Sequence, residues 1–116
     1  PLWVKLCAHS RIETDELCLN LHIGDARETL PNWQGQANCW FLDGFSPAKN
    51  PQLWGSELLK SVYKHTCDGG SAATYTAAGF VRRNLETAGF TVKRSPGFGR
   101  KRHMTHAVKG DFNAEQ

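Results

Sequence analysis

The sequence predicts an α/β fold, with a mostly parallel sheet whose last strand runs antiparallel. Three observations carry this expectation. Short β-prone runs alternate with segments whose apolar residues recur at helical spacing, the pattern of strands joined by crossover helices. Gly, Pro and Asp punctuate the boundaries. The last two strand candidates follow one another with no helical segment between them, so the final strand is expected to return antiparallel.

Taken in order, residues 1–11 read either as the end of a helix or as an irregular lead-in. Residues 17–23, L-C-L-N-L-H-I, alternate at Asn20 and His22 and predict a strand that Gly24 and Asp25 end. Residues 26–30 predict a short helix with Asp25 as its N-cap and Pro31 closing it. Residues 33–36 form a polar connection. Residues 37–42 predict a buried central strand, because an apolar run there stops abruptly on Asp43-Gly44-Phe45-Ser46-Pro47. Leu53, Trp54, Leu58, Leu59 and Val62 mark an amphipathic helix ending near His65. Residues 67–70 read as a turn and 71–76 as a strand. Phe80, Val81, Leu85 and Ala88 mark a further helix, stopped by Gly89. Residues 90–94 and 103–109 are the closing strands, and 110–116 a polar tail.

The 116 residues amount to one small domain or part of a larger one. Because the first residue is Pro1, the expectation is a piece of a longer chain. No run approaches the roughly 18 apolar residues of a membrane span, and there is no signal-peptide pattern. Cys7, Cys18, Cys39 and Cys67 form no C-x-x-C pair and read as buried, reduced thiols of a cytoplasmic protein. Charge is uneven. Residues 82–109 carry Arg82, Arg83, Lys93, Arg94, Arg100, Lys101, Arg102 and Lys109 against Glu86 alone, a net +7 where the whole chain is +3. Such a concentration points to a phosphate-bearing partner or, more plainly, to a solvated surface.

Asp43 is the first candidate for chemistry. An acid at the end of an apolar strand costs free energy if buried unpaired, so it faces a cleft or caps the turn that follows. Ligands of open α/β sheets bind beyond the carboxyl ends of the strands. Asp25 also follows a strand candidate, and two such acids on neighbouring parallel strands would end at one edge. Phe45, Pro47, Lys49 and Asn50 surround Asp43 in sequence, and an exposed aromatic there suits a flat base. Phe98 sits among glycines and beside Arg100, Lys101 and Arg102, a loop able to approach phosphates and a base. His103 and His106 would face opposite sides of a strand, so no metal site is expected.

Four motifs at these positions closely resemble one family. They are F-L-D-G-F-S-P-A-K-N-P at 41–51, T-Y-T-A-A-G-F-V-R-R-N-L at 74–85, A-G-F-T-V at 88–92 and G-F-G-R-K-R-H-M at 97–104. The family is the methyltransferase domain of bifunctional proteins of tRNA 5-methylaminomethyl-2-thiouridine biosynthesis (MnmC-like). The resemblance runs from about Leu17 to Val108.

It implies the C-terminal part of a class I (Rossmann-like) S-adenosylmethionine-dependent methyltransferase fold, acting on the aminomethyl group of the wobble uridine in tRNA. In two-domain members a separate, FAD-dependent oxidase domain follows. Carried over by position, Gly24, Asp25 and Ala26 resemble the motif contacting the cofactor adenine. Asp43 resembles the catalytic acid, with Gly44 beside it at the cofactor. Phe45 to Asn50 and Phe98 would shape the uridine pocket. Arg82, Arg83, Lys93, Arg94 and residues 100–102 would meet tRNA phosphates.

The family's glycine-rich cofactor loop and ribose-binding acid are absent from this sequence, and His103 stands where the family more often has Glu. Residues 1–116 therefore read as one partial domain, weak in cofactor binding and inactive alone, with exposed sheet edges inviting self-association. Two other readings stand beside it. One is a non-catalytic basic module that binds nucleic acid. The other is a different nucleotide-dependent α/β enzyme, disfavoured by the missing dinucleotide fingerprint.

Overall fold

The structure, a computed structural model, describes residues 11–43, 47, 49–76, 78–96 and 103–110. Two short strands open it. β1 (Arg11–Glu13) pairs antiparallel with β2 (Cys18–Asn20), Ile12 opposite Leu19. Thr14 closes their turn, its hydroxyl accepting from the Leu17 amide at 3.0 Å. Helix α1 (Ala26–Asn32) follows, capped by the Asp25 side chain. Pro31 lies inside α1 rather than ending it. The last turn is closed instead by Asn32 Nδ2, which donates to Glu28 O at 2.9 Å.

The main sheet holds β3 (Ala37–Phe41), β4 (Thr66–Thr74), β5 (Thr91–Pro96) and β6 (His103–Val108), in the order β3-β4-β6-β5. β3 and β4 are parallel. β6 runs antiparallel to both β4 and β5, as expected of a strand that returns without a crossover helix. The expected mostly parallel sheet is therefore corrected to a mixed one, with one parallel pairing and two antiparallel pairings among the described residues.

Between β3 and β4 lie a 3₁₀ turn (Pro51–Trp54) and α2 (Ser56–Lys64). Helix α3 (Gly79–Ala88) connects β4 to β5. Residues 53–65 are thus not one helix but two pieces, divided at Gly55. The core lies between the helices and the sheet. Leu59 and Val62 of α2 and Val81 and Leu85 of α3 meet Ala72 of β4 and Ala107 of β6, with Trp54 and Phe90 closing the ends. Each of the larger side chains contributes about 1.5–3 kcal/mol by leaving water. Asn84 Nδ2 donates to Trp54 O at 2.9 Å and ties α3 to the 3₁₀ turn.

Three further expectations change. Residues 17–23 do not form a strand of the main sheet; only Cys18–Asn20 is strand, and it pairs with β1. Residues 67–70 are not a turn but part of β4. A Cβ on Gly70 would lie 2.7 Å from Thr66 Cγ2 and 3.1 Å from Asn38 O, so glycine lets the neighbouring backbone approach where the β3–β4 register shifts between Ala37 and Cys39. Finally, β3 is not buried: Phe41 is 82% exposed and Cys39 is exposed. Among the described residues β3 has a strand neighbour on one side only. The cysteine expectation falls with it, since Cys18 and Cys39 are exposed and Cys67 partly so, although all three are free thiols. Cys7 and the 111–116 tail lie outside the described residues. No described helix is long and apolar enough to cross a membrane.

Candidate active site

An open cleft of about 1010 Å³ runs between the β2–α1 segment on one side and β3 with the start of α2 on the other. Gly24, Asp25 and Ala26 line one wall. Trp40, Phe41, Leu42 and Asp43 line the opposite wall, with Asn50 beside them. Asp25 and Asp43 thus share a cleft, but not for the expected reason. They do not end two adjacent parallel strands, because β2 belongs to the small sheet.

Asp25 is paired with Arg27 and the helix start. Its Oδ1 accepts from the Arg27 amide at 2.9 Å, and its two oxygens accept from Arg27 Nε at 3.1 Å each, with Nη2 at 2.6 Å from Oδ2. The Arg27 side chain, and then its amide, lower the Asp25 carboxyl to about 2. Asp25 is therefore an acceptor that does not exchange protons near neutrality. Its helix-capping role and a ligand-binding role are compatible, since both use it as an acceptor. Gly24 sits tight against α1, where a Cβ would lie 3.0 Å from Thr29 Cγ2.

Asp43 leaves the sheet just past β3 and is exposed. Its backbone is fixed from below: Leu42 N donates to Ala73 O at 2.9 Å and Asp43 N to Phe41 O at 3.1 Å. Pro47 is half-buried and Lys49 exposed, and neither lines the cleft, whereas Asn50 does. Gly44, Phe45, Phe98, Arg100, Lys101 and Arg102 lie outside the described residues. Arg82 and Arg83 lie on α3, and Lys93 and Arg94 on β5, apart from the cleft lining.

Sequence reading missed the aromatic floor. Trp33, in a connection read as polar, lines the cleft. It stacks on His65 (centroids 5.6 Å) and meets Trp40 edge to face at 6.1 Å. The His65 ring sits between Ser61 O at 2.8 Å and Trp33 O at 2.6 Å, joining α2 to the segment that enters β3. A large aromatic in an otherwise polar linker was the available signal.

The Asp25 carboxylate, an acceptor, lines the cleft together with aromatic and aliphatic side chains, a set chemically compatible with a flat ligand that carries an amine. Among the described residues no His, Cys, Asp and Glu side chains gather into a metal site.

Comparison with known proteins bears on the chain as a whole. A family model described as S-adenosyl-L-methionine-dependent methyltransferase matches residues 1–110. The chain is 50% identical over 91 residues to a protein of Chromohalobacter salexigens named tRNA 5-methylaminomethyl-2-thiouridine biosynthesis bifunctional protein MnmC, covering 78% of this chain and 13% of that one. It is 51% identical over 89 residues to the protein of that name from Caulobacter sp., covering 77% and 15% respectively. The chain thus spans about a seventh of the length of these relatives. Among solved structures, MNMC2 from Aquifex aeolicus superposes with a TM-score of 0.81 at 33% identity, over 92% of this chain and 35% of that one. The methyltransferase SibL, at 19% identity and a TM-score of 0.52 over 79% of this chain and 36% of that one, shares the fold alone.

Proposed function

Since the chain belongs to the S-adenosyl-L-methionine-dependent methyltransferase family whose model matches residues 1–110, we propose that it carries residues for both the cofactor and the acceptor of a tRNA-modifying methyl transfer. The acceptor in this reading is the aminomethyl group of a modified wobble uridine. The observation that carries it is the shared cleft of Asp25 and Asp43, placed beyond the carboxyl end of β3, where α/β folds hold ligands. The names of the relatives supply the substrate class.

S-adenosylmethionine would supply an electrophilic methyl group on its sulfonium. Asp25, with Gly24 and Ala26, would hold the adenine end by accepting from its exocyclic amine. Arg27 is exposed enough to turn aside for this at little cost. Asp43 would serve the other reactant. An alkylammonium has no lone pair to attack with until it loses a proton, and a carboxylate within hydrogen-bond reach takes that proton and aims the nitrogen. The Trp33, Trp40 and His65 rings would stiffen the strand that presents Asp43. Arg82, Arg83, Lys93 and Arg94 would meet the phosphates of the RNA.

The deciding experiment is single-turnover methylation by the full-length protein, using tRNA that carries the aminomethyl wobble uridine. Asp43→Asn should slow the step by about 10²–10⁴-fold, the range of a positioned general base, while tRNA affinity stays within about threefold. A near-normal rate would end this role for Asp43.

A further inference from the structure

We infer that Tyr75 is the platform on which the acceptor base stacks while its exocyclic amine meets Asp43. The inference rests on the methyl-transfer reading above and adds to it a residue that fixes the base.

Placement comes first. β3 and β4 are parallel, with Phe41 paired to Ala73. Asp43 and Tyr75 each lie two residues beyond that pair. They leave the sheet at the same carboxyl-end edge, from neighbouring strands spaced about 4.8 Å apart.

The second observation is how Tyr75 is held. Tyr75 is 53% exposed, and a single exposed aromatic means little on its own. The backbone around it, however, is pinned by three threonines. The Thr76 amide donates to Thr74 Oγ1 at 3.3 Å, the Ala78 amide donates to Thr76 Oγ1 at 3.2 Å, and Thr105 Oγ1 donates to Thr76 O at 2.7 Å. Thr74 is 5% exposed and Thr105 fully buried. Thr105 comes from β6, so the antiparallel strand inserted beside β4 helps fix the bend that carries Tyr75. The result is an ordered backbone holding an exposed aromatic residue on the strand next to the one that carries Asp43, just outside the cleft lining. Preorganising a contact group in this way lowers the entropy lost when a ligand binds.

The chemistry selects the ligand class. A tyrosine face stacks on any base, and a carboxylate beside an aromatic ring favours an ammonium. The pair suits a pyrimidine bearing an aminomethyl substituent.

The test uses the full-length protein and two RNA anticodon stem-loops, one carrying 5-aminomethyluridine at the wobble position and one abasic there. Tyr75→Ala should weaken binding of the base-bearing RNA by about 5- to 100-fold, the range for one stacked base. It should leave the abasic RNA within twofold. Tyr75→Phe should stay within threefold of the parent, since the ring is retained. Tyr75→Leu keeps an apolar side chain without a π face and should fall like Tyr75→Ala, which keeps the inference testable should the alanine variant fold poorly. In turnover, the loss should appear in KM for tRNA and not in KM for S-adenosylmethionine. The inference is overturned if the Ala and Leu variants bind the base-bearing RNA within twofold of the parent, if the abasic RNA loses as much, or if Tyr75→Phe falls with them. Should the parent protein fail to methylate the aminomethyl RNA, the methyl-transfer reading fails separately. The binding comparison still decides Tyr75, because it needs no turnover.

Discussion

The indole N–H of Trp40 donates to Thr66 Oγ1 at 2.8 Å, and that hydroxyl donates onward to Val62 O at 2.6 Å. Thr66 is fully buried, so one hydroxyl joins β3 to the last turn of α2 at the entrance to β4. Trp40 stands three residues before Asp43, and its hold on Thr66 sets the strand that presents the acid.

Thr66→Val keeps the shape and removes both bonds. It leaves a shielded indole donor and a helix carbonyl unsatisfied, a loss of about 1–3 kcal/mol. Urea unfolding of the full-length protein should show it as a lower midpoint, with Thr66→Ser losing less. A double-mutant cycle with Trp40→Phe should return a coupling of at least about 0.5 kcal/mol. Strict additivity would mean that the bond contributes nothing.

Gly89 closes α3 with φ +124°, and a Cβ there would lie 2.8 Å from Tyr63 Cζ. The Tyr63 ring is held in place, edge-on to Phe90 at 5.0 Å and under Lys109 Nζ at 4.5 Å. Lys109 in turn donates to Thr66 O at 2.9 Å. Gly89→Ala therefore combines backbone strain with a clash that cannot easily relax, about 2–4 kcal/mol. Gly110 is the control, with φ +129° and open space around the Cβ position. Gly110→Ala should carry only the strain. Equal losses at the two sites, read from thermal or urea midpoints, would remove the clash from the account.

Local chemistry was legible in the sequence where one residue settles it. Asp25 caps α1, Gly89 ends α3, and the helix-free connection before β6 makes that strand antiparallel. What depends on distant partners was not. The pattern at residues 18–20 says strand but not which sheet, and the answer is set by Arg11–Glu13, a three-residue piece too short to show periodicity. Gly69 and Gly70 read as a turn because their use is long-range: Gly69 N donates to Lys109 O and Lys109 N to Gly70 O, a pairing made by residues forty positions apart. An apolar run predicts burial only if something covers both faces and both edges, and Phe41 shows that composition cannot supply the neighbour. In the site, the acids were legible as acids ending strand candidates. Trp33 was not, because its stacking on His65 appears only once α2 is folded back.

The Asp25–Arg27 pair makes a pH prediction. With the carboxyl at about 2 rather than its ordinary 3.8, the unfolded chain takes up a proton before the folded one does. The stabilisation is complete above about 3.8 and is lost as pH falls through about 2. Arg27→Met removes the largest cause. Carboxyl carbon-13 titration should then place Asp25 closer to 3.8, with the acid limb of stability shifted upward to match. A carboxyl still near 2 in that variant would assign the effect to the amide cap instead.

Arg82 and Arg83 offer the sharpest test of the proposed RNA contact. The Arg83 Nη1 and Arg82 Nη2 atoms lie 3.0 and 3.8 Å from where a Gly79 Cβ would be, so both guanidiniums fold back over the first residue of α3. That helix start carries no acid in its first turn and no side-chain cap, and Arg82 Nε is buried without a hydrogen-bond partner. Two cations at the positive end of a helix dipole repel each other and the dipole, and a phosphate would relieve both. If tRNA is the partner, replacing both with Gln should flatten the slope of log K against log salt by about 1–2, roughly 0.7–0.9 for each lost phosphate contact. The loss should be the same for RNAs of different wobble base, because phosphate contacts carry no sequence information. Filter binding at four salt concentrations measures it. An unchanged slope would remove these two arginines from the proposed RNA contact.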